Sequence, residues 1–287
     1  ELPVGSRLTV LGGIRVDHHR AHGAIVSPRA ALKWSAGDWT TFRLNLATGF
    51  RVVHLFTEDH AALSGSREVV VAEELAPERS STVTASMRTM LGIGSLPVYL
   101  DVDVFHTGFS NRILPDYDSE PGRIIYRNLR GVAITRGASL GLSLDPASAP
   151  VGFRAGATLQ RVTRTDLGLT SEVEFAPRFK GDFGVTWNAS EAVAVDWTGS
   201  VTGRMALPEL GGVTEHSPWF TEQHLQVTTE LAPSRYLTVG IRNLFDTRQR
   251  NPLVAPHDPF GPDFDTYRVW GPVQGRRLLV AMQWNAR

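Results

Sequence analysis

Three features that would each define a class of protein are missing from the sequence. It contains no cysteine, which excludes disulfide scaffolds, thiolate metal sites and cysteine nucleophiles. No stretch approaches the roughly 18 uncharged apolar residues of a transmembrane helix, so a helical membrane protein is excluded. Basic and acidic residues balance at 29 each. Because nucleic-acid binding needs an excess of positive charge, we expect no nucleic-acid partner.

The first residues also lack a secretory signal. Glu1–Val4 has neither a basic start nor an apolar segment after it, and a signal peptide needs both. We therefore expect either a processed protein or a chain that starts within a longer one.

Alternation of polar and apolar residues is the clearest positive feature. Between 193 and 205, the odd positions carry apolar residues such as Val193, Val195 and Trp197, and the even positions carry Asp196 and Thr198. The same pattern recurs at 98–107, 179–188 and 220–231. A period of two indicates β-strands with one apolar and one wet face.

Carried along the chain, this pattern predicts about twelve strands. They lie at roughly 6–18, 26–36, 38–50, 78–92, 96–112, 124–145, 150–166, 174–188, 192–205, 218–231, 235–246 and 272–285. Short links rich in turn-forming residues alternate with longer polar links. The longer links lie near 19–25, 51–77, 113–123, 167–173, 206–217 and 247–271.

Strand length and link length together favour a membrane barrel. Soluble strands usually have about five or six residues, whereas a strand that crosses hydrocarbon at a tilt needs about 9–11. Outer-membrane barrels have short periplasmic turns and long extracellular loops, and a soluble sandwich has no reason to sort its links in this way. The sequence therefore predicts an all-β, antiparallel transmembrane β-barrel, for which outer-membrane lipid is a partner.

Tryptophan positions agree with this prediction. Trp34, Trp39, Trp187 and Trp284 lie near predicted periplasmic strand ends, and Trp219 lies near an outer end. Amphipathic rings favour the membrane interface.

Several strings resemble the TonB-dependent outer-membrane receptor family over nearly the whole chain. They are VSPRAAL at 26–32, ATGFR at 47–51, ELAPE at 74–78, DVFHT at 103–107, NRI at 111–113, YRNLRG at 126–131, VGIRNLFD at 239–246 and GRR at 275–277. Their order and spacing carry the resemblance more than any single string does.

The resemblance implies a barrel of about 22 strands whose lumen is filled by a plug domain. Residues 1–287 then form the C-terminal portion of the receptor β-barrel, with no plug domain in this chain. The N-terminal plug, the remaining strands and the segment that contacts TonB are expected partners outside the chain.

The function that this implies is TonB-energised uptake of a scarce solute across the bacterial cell outer membrane. An iron-siderophore complex, cobalamin and a glycan are all open as substrates, and we expect a small-molecule or chelate ligand, no enzymatic activity and no cofactor. The alternative is a self-contained twelve-stranded outer-membrane barrel that acts as a porin or barrel enzyme. A Gly-x-Ser-x-Gly string at 137–141 needs a strand-to-helix elbow to expose its serine. Because it lies inside an alternating strand, we interpret it as part of the wall.

Two groups of loop residues are candidates for ligand contact, because binding residues concentrate in loops. The predicted ligand-binding residues are His54, Glu58, His60, His257, Asp258 and Phe260. They fall in the second and in the last of the long links.

A histidine cluster at the mouth of the first hairpin is a candidate metal site. It consists of His18, His19 and His22, and neutral imidazoles are common ligands of zinc, copper and nickel. A solvated surface cluster is the alternative.

Overall fold

The computed structural model describes residues 2–53, 68–116, 119–120, 123–145, 149–208, 215–261, 264, 266 and 268–284. Every helix or strand within these residues is a β-strand. In this part of the chain, no helix is long and apolar enough to cross a membrane.

Seventeen strands follow one another along the described chain. They are β1 (Leu2–Val4), β2 (Leu8–His19), β3 (Gly23–Ser35), β4 (Thr40–Arg51), β5 (Glu68–Val71), β6 (Glu78–Ile93), β7 (Leu96–Asn111), β8 (Ile113–Asp116), β9 (Arg123–Asn128), β10 (Gly131–Leu144), β11 (Val151–Asp166), β12 (Leu169–Glu172), β13 (Phe179–Asn188), β14 (Val193–Thr202), β15 (Phe220–Ala232), β16 (Arg235–Arg242) and β17 (Arg277–Trp284).

Fourteen of these strands form one antiparallel sheet. Its order is β1-β2-β3-β4-β6-β7-β10-β11-β13-β14-β15-β16-β17, and β12 pairs beside β11. Within the described residues, β1 pairs only with β2, and β17 pairs only with β16. The sheet therefore has two free edges and is not closed on itself in this part of the chain.

The links between strands of this sheet sort by end, as predicted. The short-turn end carries the links after β1, β3, β6, β10, β13 and β15, and the long-loop end carries the others. The first of these others is shorter than expected, since only residues 20–22 separate β2 from β3. A hydrogen bond from the His22 N–H to the His19 carbonyl, 3.2 Å long, closes this turn, and Gly23 takes a positive φ of 66°.

All twelve long strands that the alternation predicts are present, but the prediction of one strand across 124–145 is wrong. The segment divides into β9 and β10, which belong to different sheets. Gly131 begins β10, and a Cβ there would lie 2.0 Å from the Thr165 carbonyl oxygen. Apolar residues recur in both strands, at Ile124 and Tyr126 and again at Val132 and Ile134, so the sequence pattern does not reveal the break. Four strands of three or four residues, β1, β5, β8 and β12, are too short to show a period.

Strand register places the apolar side chains on one continuous face. Leu44 pairs with Ala85, Ala85 with Val104, Val104 with Ala138 and Ala138 with Leu159. This apolar face extends over every long strand, and its side chains are exposed, among them Ile14, Val16, Leu46, Val83, Leu140, Trp197, Val239, Leu278 and Val280. Soluble monomers rarely expose contiguous apolar patches beyond a few hundred Å². An exposed apolar face of this extent is typical of a barrel wall that contacts lipid.

The opposite face is polar and is joined across strands by side-chain hydrogen bonds. Hydroxyl pairs connect Thr82 with Thr107 at 2.9 Å and Ser139 with Thr158 at 2.9 Å. Ser86 donates to Asp103 at 2.5 Å. Ser139, the serine of the Gly-x-Ser-x-Gly string, thus lies in the middle of a strand, where it is hydrogen-bonded to the neighbouring strand.

A compact core occurs mainly beyond the sheet. Of the buried hydrophobic residues in the described chain, all but Val98 and Leu144 lie at the long-loop end. The wall is therefore a single layer, and its stability depends on backbone pairing and on what surrounds its two faces.

The side chain of Asn243 holds the link between β16 and β17 in place. Asn243 is 2% exposed and has a positive φ of 52°. Its side-chain amide donates to the carbonyls of Thr247 at 2.8 Å and Gln274 at 3.1 Å, and its carbonyl accepts the Thr247 N–H at 2.9 Å. Asp246 also accepts the Arg276 N–H at 2.7 Å. This backbone bond, followed by the Arg248 guanidinium, lowers the pKa of the Asp246 carboxyl.

Substituting Asn243 tests whether its side chain stabilises this link. Asn243→Ala leaves two carbonyls and one N–H without partners and forces alanine into a left-handed conformation, so we expect a loss of about 2–4 kcal/mol. Asn243→Gly is the matched control, because it loses the same bonds without the strain and should be less damaging by about 1 kcal/mol. Urea unfolding in detergent micelles measures both. An Asn243→Ala chain as stable as the parent would contradict the assignment.

Two adjacent lysine substitutions test the assignment of the faces. Leu140→Lys places a charge on the apolar face, where an ammonium near the middle of the bilayer costs roughly 2–4 kcal/mol. Ser139→Lys on the same strand faces Asp103 across the polar face, and we expect it to change stability little. The measurement is the free energy of unfolding in phosphatidylcholine vesicles. Equal losses from the two variants would rule out a lipid-facing apolar side.

Candidate functional site

A second, three-stranded sheet lies at the long-loop end. Its order is β5-β9-β8, with β5 parallel to β9. Ile113, Ile124 and Tyr126 form its core, and Val69 and Leu75 pack against them. Short strands from separate loops thus share one small core, which holds the loops over the end of the barrel wall.

Two asparagines attach this sheet to the wall. The Asn111 amide donates to the carbonyls of Ala76 at 3.0 Å and Pro77 at 3.1 Å. The Asn128 amide donates to the Glu74 carbonyl at 2.8 Å, and its oxygen accepts the Ala76 N–H at 2.9 Å. Each amide therefore satisfies backbone groups of the segment that enters β6.

Glu78 is a buried carboxylate at the start of β6. It accepts hydrogen bonds from the Ile113 N–H at 3.0 Å and from Arg51 at 2.9 Å. Burial of a carboxylate is costly unless it is paired and hydrogen-bonded, and both conditions are met here. The pair fixes the last residue of β4 beside the first residue of β8.

Two adjoining cavities open where these segments meet. The first has a volume of about 550 Å³, and Arg51, Glu78, Phe109 and Arg112 are among its lining residues. The second has a volume of about 360 Å³. Arg112, Val173, Glu174 and Phe175 line both. We call the two cavities together the rim pocket.

Charge in the rim pocket is mostly paired. Its lining contains five arginines, Arg51, Arg79, Arg112, Arg127 and Arg164, and four carboxylates, Glu78, Asp116, Asp166 and Glu174. Arg164 pairs with Glu174 at 2.8 Å, and Arg127 pairs with Asp166 at 2.5 Å. The hydrogen bond to Asp166 raises the pKa of Arg127.

Of the lining arginines, Arg79 and Arg112 form no ion pair within the described residues, and Arg112 is the one of these two that lines both cavities. Its guanidinium carbon lies 5.8 Å from the centroid of the Phe109 ring, and it forms no hydrogen bond or ion pair with the residues that the structure describes. It is half-buried and lines both cavities. A guanidinium held against a ring and without a counter-ion is suited to bind an anionic group of a ligand.

A hairpin bounds the rim pocket on its other side. Glu172 at the end of β12 is hydrogen-bonded to Arg178 and lies 3.6 Å from His216. Burial acts to raise the pKa of Glu172, but the hydrogen bonds and positive charges of Arg178 and His216 outweigh it, and the pKa is lowered. The carboxylate is therefore ionised at neutral pH and ties the hairpin to the next loop.

The predicted metal ligands are only partly brought together. The rings of His19 and His22 stack with centroids 4.9 Å apart. His18 pairs with Ala24 and lies on the apolar face with Val16, opposite to His19. Among the described residues, no group of three or more His, Asp or Glu side chains is arranged to hold a metal ion. Metal capture by this cluster stays a prediction.

The predicted ligand-binding residues lie away from the rim pocket or outside the described chain. His54, Glu58 and His60 are not among the described residues. His257, Asp258 and Phe260 form an exposed turn, in which Phe260 is 99% exposed. They do not line the rim pocket, and their role stays a prediction.

Sequence reasoning missed the arginines of the rim pocket. Arg112 and Arg127 stand inside the strings NRI and YRNLRG that carry the family resemblance, which was the available signal. Arg112 and Arg127 come close to Arg164 because β8 pairs with β9. A pairing between two loops leaves no periodic pattern in the sequence.

Comparison with known proteins supports the architecture. The family model described as TonB dependent receptor-like, β-barrel, matches residues 1–244. No curated protein sequence matches the chain significantly.

Solved structures of this fold are similar over nearly the whole chain. A variant of the ferric enterobactin receptor PfeA of Pseudomonas aeruginosa, in complex with enterobactin, superposes with a TM-score of 0.71 at 14% identity, covering 98% of this chain and 44% of that one. The siderophore receptor PirA of Acinetobacter baumannii gives 0.71 at 12% identity, covering 97% and 43%. The ferric-catecholate import receptor Fiu of Escherichia coli K12 gives 0.63 at 14% identity, covering 91% and 35%.

This chain thus spans less than half the length of each of these receptors. The family model covers most of its residues. The chain belongs to the TonB-dependent receptor β-barrel family.

Proposed function

We propose that the chain forms part of the wall and rim of an outer-membrane receptor that captures an anionic iron-siderophore chelate. The observation that carries this proposal is the unpaired Arg112 guanidinium, which lies against Phe109 and lines both cavities of the rim pocket. The chelate would then be taken up by TonB-energised transport.

The chemistry of the pocket fits a ferric catecholate. Such a chelate carries net negative charge and presents flat aromatic rings. A guanidinium can bind its oxygens and stack on its rings, and Phe109 and Phe175 add apolar surface beside it. The similar structures include receptors named for ferric enterobactin and for ferric catecholates.

Cobalamin and glycans, which the sequence left open, carry little net charge. Neither combines the several negative charges and the flat catechol rings of a ferric catecholate, so the pocket favours the chelate. No feature of the described residues favours the porin or barrel-enzyme alternative.

The remaining parts of the receptor belong to the same proposal. The free edges at β1 and β17 would expose unpaired backbone groups to lipid, which costs several kcal/mol for each group. We infer that further strands of the receptor complete the barrel around a plug domain, that TonB acts through that N-terminal part, and that the assembly lies in the bacterial outer membrane.

Substitution of Arg112 tests the substrate class. We expect Arg112→Ala to weaken binding of ferric enterobactin by about ten- to a hundredfold, since a hydrogen bond to a charged group contributes roughly 1.5–3 kcal/mol. Arg112→Lys should restore part of the affinity, because the charge remains without the planar fork. Equilibrium dialysis of the full chain in detergent with radiolabelled ferric enterobactin gives the dissociation constants.

The matched control is Arg154→Ala. Arg154 is also an unpaired arginine of the polar face, but it lines a separate cavity with Ser143 and Asp145 near the short-turn end, so its loss should leave binding unchanged. Equal effects of the two alanine variants would contradict a site at the rim. Retention of cyanocobalamin but not of ferric enterobactin would overturn the substrate class.

A further inference from the structure

The apolar face carries one row of basic residues. His106 on β7 pairs directly with Arg136 on β10, and Arg136 pairs directly with Arg161 on β11. Directly opposed residues of neighbouring antiparallel strands have Cβ atoms about 4.5–5.5 Å apart. Three basic side chains thus lie within about 10 Å on the face that otherwise holds Val104, Ala138 and Leu159. We call them the basic row.

The basic row has no counter-ion within the described chain. All three side chains are exposed, and none forms a hydrogen bond or ion pair there. The neighbouring rows on the same face, Val104-Ala138-Leu159 and Gly108-Ile134-Thr163, contain no carboxylate. The nearest acid on an adjacent strand is Glu172, opposite Thr163, and it is engaged by Arg178 and His216. Because directly opposed like charges destabilise a sheet, an external anion would stabilise this one.

The position of the basic row along its strands indicates its depth in the membrane. Ten residues separate His106 from Leu96, ten separate Arg161 from Val151, and eight separate Arg136 from Leu144 at the short-turn end. A tilted strand crosses hydrocarbon in about 9–11 residues. The row therefore lies at the outer boundary of the hydrocarbon, where a basic side chain costs only about 0–1 kcal/mol and meets lipid headgroups.

We propose that the basic row is a binding site for the phosphate groups of an anionic lipid in the outer leaflet. Two guanidinium groups side by side can each bind phosphate oxygens with two hydrogen bonds. The lipid chains would then lie along Val104, Ala138 and Leu159 below the row. The site faces away from the rim pocket and does not depend on which solute the receptor takes up.

The test is a lipid titration of the full chain in detergent micelles, followed by native mass spectrometry. The probe is diphosphorylated lipid A. We expect Arg136→Gln/Arg161→Gln to weaken its binding at least tenfold, and Arg136→Lys/Arg161→Lys to give an intermediate loss, since lysine keeps the charge without the fork. Retained heat-modifiable mobility on gels shows that each variant is folded. Should the glutamine pair fail that check, His106→Gln/Arg161→Gln takes its place with the same expectation.

The control removes the same charge from the opposite face. Arg43→Gln/Arg154→Gln alters two exposed arginines of the polar face, and it should bind lipid A as the parent does. An unchanged affinity in the variants of the row, or an equal loss in the control, would overturn the proposal. A third arm adds inorganic phosphate at the concentration of lipid A. If it displaces the lipid, the site recognises free phosphate and the assignment to a lipid is wrong.

Discussion

Continuous pairing of the backbone across the main sheet is the constraint on which the rest of the structure depends. In hydrocarbon each N–H and carbonyl must find a partner within the protein, and each interior strand of this sheet pairs on both sides. Because antiparallel pairing keeps directly opposed residues on one face, register alone assembles the apolar surface and the polar surface. The few buried residues of the wall are a consequence, since neither surface packs against a second layer.

The wall could be predicted from the sequence because each of its strands is specified by a local pattern of polar and apolar residues. Val193, Val195 and Trp197 alternate with polar residues, and that pattern specifies a strand, its face and its neighbours with little reference to the rest of the fold. The break between β9 and β10 was hidden for the same reason. Apolar residues recur on both sides of the division, which lies just before Gly131, where a Cβ would lie 2.0 Å from the Thr165 carbonyl oxygen.

The rim could not be predicted in this way, because its contacts join segments far apart in the chain. Glu78 contacts Arg51 and Ile113, and Arg127 contacts Asp166. None of these pairs follows from local spacing. Sequence reasoning turned instead to histidine-rich and acidic loop strings, and among the described residues of those strings the rings of His19 and His22 stack. The strings that resemble the family marked the right neighbourhood, but they did not show that arginine would line it.

The asparagines at 111, 128 and 243 have a consequence for how such a protein can change over evolutionary time. Each holds a loop through backbone groups rather than through particular side chains of that loop. A loop attached in this way can exchange most of its own residues and still be anchored at the same place. Substitutions on the surface of the loops should therefore be tolerated more readily than substitutions in the wall, where the alternation of polar and apolar residues must be kept.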